Sequence, residues 1–438
     1  MTAEHGSRGA LKAGLHESPL PRLRLLPKPA VAGRIKDRPE DFIVEEIPLY
    51  EPTGSGEHLM LRVQKIGLSH GEMIRRLARH FRVHESEIGF AGMKDKQAVT
   101  TQCVSIHTPE NFGADDVIDE RITVAWSARH RSKLRRGHLA GNRFAIRIRN
   151  VDPIKAPAIA ARLRELGRRG APNYFGSQRF GYRGNNYLLG LWMLRGDWQA
   201  LLDEMLGSRG SPFPAHQAEQ RDLYDRAMYS EALQRWPRSD RAEHAALREL
   251  ARGRDAQRAC VSMGRRALSF FGAAAQSAMF NRLLDERLAA GSIEALQQGD
   301  LAWLHRSRAV FLVDDKEFRN PELAKRVAAL ELSPSGPMWG PGMTLAAGAV
   351  LERERDILQC FGLSEANLKS SPCELEGARR PMRCRIENPL VDGGFDEHGP
   401  YVRVAFDLER GSFATMVLCE IVNDQSGAIH AEGEVESR

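Results

Sequence analysis

A chain of 438 residues with 42% hydrophobic content can bury a large core, and its length suggests two or three domains. A net charge of +6 suits a polyanionic partner. Residues 1–30 lack the apolar core of a signal peptide, and no run approaches the roughly 18 apolar residues of a membrane span, so a soluble, cytoplasmic protein with no membrane partner is expected.

Residues 1–30 and 426–438 are poor in apolar periodicity and read as flexible ends. Between them, Leu59, Leu61 and Val63 alternate with Met60, Arg62 and Gln64, the pattern of a half-buried strand. Ser69 and Glu72 have capping-box spacing, and Ile74, Leu77, Ala78 and Phe81 form the stripe of an amphipathic helix. Residues 88–91 read as the end of a buried strand, Gly92 permits a tight turn, and β-branched residues resume over 98–106. Phe144, Ile146 and Ile148 then alternate with Arg143, Arg147 and Arg149. A second helix begins near Pro157, carries Ile159, Leu163 and Leu166, and stops at Gly167 or Gly170. From about 185 to 370 the pattern is helical, including 273–288. A strand pattern returns at Val402, Val404, Phe406 and Leu408, after which Ser412 could cap a final helix. This order predicts an α+β protein: a catalytic domain in two parts, 31–167 and 375–425, interrupted by a large, mainly helical α+β insertion over 168–374. The strand and helix near 400–424 would complete the sheet begun before residue 150.

Asp95 is the most informative residue, a single carboxylate between Lys94 and Lys96 in the turn joining two apolar runs. Such a loop is carried by a rigid scaffold, and neighbouring cations favour the ionised form, a poor proton donor but an available nucleophile. A solvated turn aspartate beside two surface lysines is the plainer reading. Residues 128–149 hold eight Lys/Arg and no Asp or Glu: Arg129, Arg131, Lys133, Arg135, Arg136, Arg143, Arg147 and Arg149. With Arg162, Arg164, Arg168 and Arg169 following, this run reads as a phosphate-tracking surface that sets register and not base identity. Taken alone, Phe144 reads as core and Asn142, after Gly141, as a turn former. Cys103, Cys260, Cys360, Cys373, Cys384 and Cys419 show no C-x-x-C spacing and read as thiols of a reducing compartment, not as a zinc site or disulfide frame. The chain has no P-loop, H-E-x-x-H or G-x-G-x-x-G dinucleotide motif, which leaves an ATPase or methyltransferase little to stand on.

The run G-x-K-D-x-x-A-V-T-x-Q over 92–102 resembles the catalytic-loop signature of the TruD family of tRNA pseudouridine synthases. Ordered motifs at 38–46, 56–59, 141–144, 172–181, 276–281 and 411–415 are similar to the family's others. The resemblance implies a pseudouridine-synthase-like mixed sheet with a TRUD-type insertion, and an aspartate, here Asp95, that attacks the target nucleotide. It implies that Lys36 is the cation paired with that carboxylate, with Lys94 beside it, that Phe144 stacks on the target uracil, and that Asn142 helps hold the loop or nucleotide. Arg129, Arg131, Lys133, Arg135, Arg136 and Arg143 would contact RNA. The implied reaction is isomerisation of uridine, at position 13 in the D-arm region of tRNA, to pseudouridine. It requires no metal, redox step or organic cofactor, and no obligate protein partner is evident. One departure is Leu418-Cys419-Glu420, where the family usually carries Leu-Arg-Glu. Two alternatives stand beside this reading. One is an RNA-binding or chaperone-like protein without chemistry. The other is a metal nuclease using Asp41, Glu45, Glu46 and Asp95, against which Lys94 and Lys96 would repel the metal.

Overall fold

The computed structural model describes residues 18–108, 117–369, 373 and 375–426. It divides into two compact units, one formed by Leu25–Ala171 with the described residues from Cys384 on, the other by Pro172–Arg383 with residues 18–24.

The first unit is built on one sheet. Its strands are β1 (Val31–Gly33), β2 (Phe42–Pro48), β3 (His58–Ile66), β4 (Ile88–Phe90), β5 (Val99–His107), β6 (Val117–Asp119), β7 (Ile122–His130), β8 (Leu139–Arg149), β9 (Ile386–Asp396), β10 (Gly399–Glu409) and β11 (Val422–Asp424). Its helices are α1 (His70–Phe81), α2 (Ala156–Arg169) and α3 (Ala414–Ile421). Among the described residues nine of these strands form the sheet, in the order β9-β10-β8-β2-β5-β3-β7-β6 with β4 added beside β5, while β1 and β11 pair in parallel apart from it. The chain returning after Cys384 lays β10 against β8, with Val402 opposite Ile148 and Phe406 opposite Phe144, so the last strands do complete the sheet begun before residue 150. Within this sheet β2 and β5 run parallel, whereas the ladders on either side of them are antiparallel.

The helices follow from local chemistry. Ser69 Oγ accepts from the Glu72 N–H at 3.2 Å, which starts α1, and Arg82 in the left-handed region ends it. The apolar stripe of α1 (Met73, Ile74, Leu77, Ala78, Phe81) packs on Leu59, Leu61, Val63, Val104 and Ile106. Pro157 sits in the first turn of α2, and Gly170, at φ +79°, stops it. Ile159, Leu163 and Leu166 of α2, with Val417, Leu418 and Ile421 of α3, pack on Phe144, Ile146, Val402, Val404 and Phe406. Each such side chain contributes about 1.5–3 kcal/mol on burial. Ser412 does not cap α3: Phe413 occupies the cap position and makes no side-chain bond there, while the Ser412 N–H turns back to Glu409 O.

One face of the sheet therefore carries two apolar clusters. Between them, where β2 meets β5, the same-face positions change to polar residues: Glu46 and its cross-strand partner Asn142, and Thr100 and Gln102.

The second unit is mainly helical, with the 25-residue helix Arg265–Ala289 at its centre and a four-stranded sheet of Val310–Leu312, Leu301–Leu304, Leu332–Met338 and Ala378–Pro381. The segment 18–30 is not loose. The Arg22 and Leu23 N–H groups donate to Asp285 Oδ1, and those of Leu25 and Leu26 donate to the Glu420 carboxylate at 2.9 Å. Flexibility expected over 1–17 and 427–438 lies outside the described residues. No helix among the described residues is long and apolar enough to cross a membrane.

Candidate active site

Parallel strands are entered from the same end. With Ile43 in register with Val99, the residues that lead into β2 (36–41) and into β5 (91–98) arrive side by side. Lys36 Nζ consequently lies 2.8 Å from Asp95 Oδ2. Lys36 holds φ at +57°, in the left-handed region that costs a non-glycine residue roughly 1–2 kcal/mol, and its ammonium also stands 4.3 Å from the centre of the Phe42 ring. The Lys36 side chain is only 7% exposed while that of Asp95 is 35% exposed: the cation is fixed and largely dry, and the carboxylate opens outward.

The loop itself is clamped at successive points. The Gly137 N–H donates to Ala91 O at 2.8 Å, Gln102 Nε2 to Gly92 O at 3.3 Å, and the fully buried Lys65 Nζ to Asp95 O at 2.7 Å and to Leu68 O at 2.6 Å. Lys94 does not flank the Asp95 carboxylate as its sequence position suggests. Its Nζ reaches Glu46 Oε2 at 3.0 Å and Asn142 Oδ1 at 2.9 Å, both in the polar strip. Lys96 is exposed. Lys36 places its ammonium against Asp95, and Lys94 with Asn142 braces the loop against β2 and β8.

Phe144 is 7% exposed and packs between Phe42 (ring centres 6.3 Å apart) and Phe406 (5.8 Å). It therefore occupies a core position, one ring removed from the Phe42–Lys36 contact.

The basic run splits into two groups. Arg143, Arg147 and Arg149 alternate with Asn142 and Phe144 and so project from the opposite face of the sheet. There Arg143 is bidentate to Asp407 (2.9 and 3.1 Å), and Arg149 binds Asp41 and Asp396. The Arg149 guanidinium holds the Asp396 carboxyl down to about 2. Arg143 is thus an ion-paired residue on the far face, not a free cation beside Asp95. The remainder belong to β7 and the 131–138 loop that Gly137 ties to Ala91. Arg131 and Arg135 are exposed and have no ion pair among the described residues, Arg129 Nη1 donates to Thr108 O at 3.1 Å, Lys133 donates to Ser86 O, and the Arg136 guanidinium lies 5.8 Å from the Phe90 ring centre.

The four carboxylates of the nuclease reading do not converge. Asp41 binds Arg149, Glu45 binds Arg62 at 2.6 Å, Glu46 binds Lys94 and Asp95 binds Lys36. No group of three or more His, Cys, Asp or Glu able to hold a metal ion occurs among the described residues. The six cysteines are free thiols, and burial pushes the Cys103 and Cys260 thiols up, the latter to about 12. Next to Cys419, Glu420 keeps a structural task in binding the N–H groups of Leu25 and Leu26.

Lys65 and Phe42 are site residues not singled out by the sequence, and Glu46, singled out there only as a metal-ligand alternative, pairs instead with Lys94. The signal was present: Lys65 continues the core-facing phase of Leu59, Leu61 and Val63, and Glu46 that of Phe42 and Val44. A charge at an apolar phase is costly unless paired, and so marks a buried polar site.

The profile of the family tRNA pseudouridine synthase D (TruD) matches residues 22–421. The chain is 39% identical over 398 residues to tRNA pseudouridine synthase D of Geobacter sulfurreducens, covering 90% of this chain and 95% of that one. It is 37% identical over 398 residues to the Geobacter metallireducens protein of the same name, covering 90% and 96%. Its fold is similar to the crystal structure of a Methanosarcina mazei chain assigned to TruD, with a TM-score of 0.72, 25% identity, and coverage of 93% of this chain and 96% of that one.

Proposed function

The chain belongs to the TruD family of tRNA pseudouridine synthases, and on that footing we propose that it isomerises uridine 13 of tRNA to pseudouridine with Asp95 as the nucleophile. The observation that carries the residue assignment is the 2.8 Å Lys36–Asp95 pair, in which a nearly buried ammonium orients an outward-facing carboxylate. Lys36 favours the ionised form that attack requires. Lys94, Asn142, Gln102 and Lys65 hold the loop so that this carboxylate does not have to be ordered during the reaction.

The target nucleotide must leave the stack before its glycosidic bond can be reached. The N1–C1′ bond then breaks with its electron pair leaving on uracil, the base turns, and C5 bonds to C1′. Loss of the C5 proton and protonation of N1 complete an isomerisation that leaves RNA length and mass unchanged. The same carboxylate serves whether it bonds to C1′ and is later displaced, or removes the C2′ proton to form a glycal and returns it to C2′ as C5 bonds to C1′. The uracil must be retained in a pocket shielded from water while it turns.

In this reading the unit containing the nine-stranded sheet is the catalytic domain, Pro172–Arg383 forms the insertion, and the enzyme works in the cytoplasm. Arg131 and Arg135, with Arg129, Lys133 and Arg136, meet RNA phosphates. The test is incubation of metal-stripped protein with tRNA in excess chelator, followed by intact-mass measurement and chemical derivatisation of pseudouridine. Derivatised product at unchanged mass supports the synthase. Metal-dependent cleavage, or unmodified uridine throughout, contradicts it.

A further inference from the structure

The unit formed by Pro172–Arg383 carries a second cationic feature, in the 172–181 segment. Asn281, on the helix Arg265–Ala289, brackets Phe175 from both sides of its peptide unit: its Oδ1 accepts from the Phe175 N–H and its Nδ2 donates to Phe175 O, each at 2.9 Å. The neighbouring Tyr174 hydroxyl donates to Asp285 Oδ1 at 2.6 Å. The Phe175 ring is therefore rigidly placed and buried. Two guanidinium groups stand over it, Arg380 at 3.9 Å and Arg179 at 5.1 Å from the ring centre.

The two arginines are held differently. Arg380 Nε and Nη2 donate to Asn173 O, at 3.1 and 3.0 Å, and Nη2 donates also to Asn173 Oδ1 at 2.7 Å, which fixes its plane. Arg179 projects from the single 3-10 turn Ser177–Arg179, which Gly181, at φ +79°, follows. It is half-buried, and its guanidinium has no hydrogen-bond acceptor or carboxylate among the described residues. Burial pulls its pKa below the usual guanidinium value. A cation partly removed from water, beside a second cation and without an acceptor, is an unfavourable arrangement that an anion relieves. The planar fork of a guanidinium matches a phosphate in bidentate geometry, and the ring beneath it limits the rotamer freedom lost on binding. The ring is too buried to receive a base, so the ligand is anionic and not aromatic.

We propose that Arg179 is an RNA-phosphate anchor, with Phe175 and Arg380 as its rigid support, so that the 172–181 segment is part of the tRNA-binding surface. This rests on the tRNA reading above and assigns that reading a specific contact in the Pro172–Arg383 unit.

The test uses the full chain, tRNA, and the variants Arg179→Gln and Arg179→Lys, with affinity measured across a salt series and thermal unfolding measured alongside. Arg179→Gln weakens tRNA binding roughly tenfold at low salt, the scale of one lost charge-assisted hydrogen bond, and reduces the slope of log affinity against log salt by about 0.7–0.9. Arg179→Lys keeps the slope while losing part of the affinity, because an ammonium retains the charge but not the fork. An unchanged slope in Arg179→Gln, with or without a lowered melting temperature, overturns the anchor and leaves Arg179 a packing cation on Phe175. Failure of the synthase reading is separate: it is seen in the wild-type protein as tRNA binding without pseudouridine, whereas an unchanged slope in a variant of an active enzyme removes the anchor alone.

Discussion

Lys36 Nζ contacts Asp95 Oδ2 at 2.8 Å although 59 positions separate the two residues in the chain. The contact is a consequence of topology, because β2 and β5 are parallel neighbours entered from the same end. Lys36 adopts a positive φ at that point, and the surrounding structure must offset the local strain. The pair therefore reports directly on whether this end of the sheet is built for chemistry.

Lys36→Met removes the ammonium while retaining a side chain of similar length over Phe42. Single-turnover pseudouridine formation at saturating tRNA is expected to fall about a hundredfold, the scale associated with misplacing a reacting group. A rate within a few-fold of wild type would show that the carboxylate needs no such partner.

Lys65→Met leaves the carbonyls of Asp95 and Leu68 without their buried donor. Each charge-assisted bond contributes about 1.5–3 kcal/mol, so the melting temperature falls. The loop account also requires the rate per folded molecule to fall, measured well below the melting transition. Lower stability with an intact rate per folded molecule would confine Lys65 to a structural role.

Phe144 offers a contrast between packing and catalysis. Packed between Phe42 and Phe406, it should cost about 3–5 kcal/mol on truncation to alanine. Phe144→Leu retains most of the apolar contact but has no π-face. If the ring also stacks on the target uracil, this variant loses rate beyond its loss of stability; a leucine variant with wild-type single-turnover kinetics would leave Phe144 as core alone.

The division of the basic run is testable by salt dependence. Replacing Arg131, Lys133 and Arg135 together with glutamine should lower the slope of log affinity against log salt by about two, because each lost phosphate contact removes a released counterion. Arg143→Gln, which breaks the Asp407 pair on the far face, should leave the slope unchanged. Equal slope losses in both variants would return Arg143 to the RNA surface.

Much of this arrangement is legible in the sequence, because local periodicity and hydrogen bonding decide it. The Ser69 cap, the stripe of α1, the stop at Gly170 and the alternation of β8 all depend on neighbours within a few residues. Long-range pairing is not encoded that way. Lys94 looks like a flank of Asp95 until Glu46 and Asn142, each 48 positions away, claim its ammonium. The 128–149 run looks continuous until alternation sends Arg143 to Asp407, 264 positions on. The strand Leu332–Met338 is hidden for another reason: Pro334 and Pro337 disqualify it by propensity, yet it is paired on both sides, with Pro334 opposite Ala302 and Pro337 opposite Arg379.

The most direct test of the account is Asp95→Asn. The substitution is nearly isosteric, and Asp95 is partly exposed at a strand end, so folding and tRNA affinity should persist while the nucleophile is lost. Each tenfold loss of rate corresponds to about 1.4 kcal/mol of transition-state stabilisation. The measurement is pseudouridine formed per folded enzyme in a single turnover on tRNA. A fall to background with intact binding is expected; product formation at more than a small fraction of the wild-type rate would contradict the assignment of Asp95 as nucleophile.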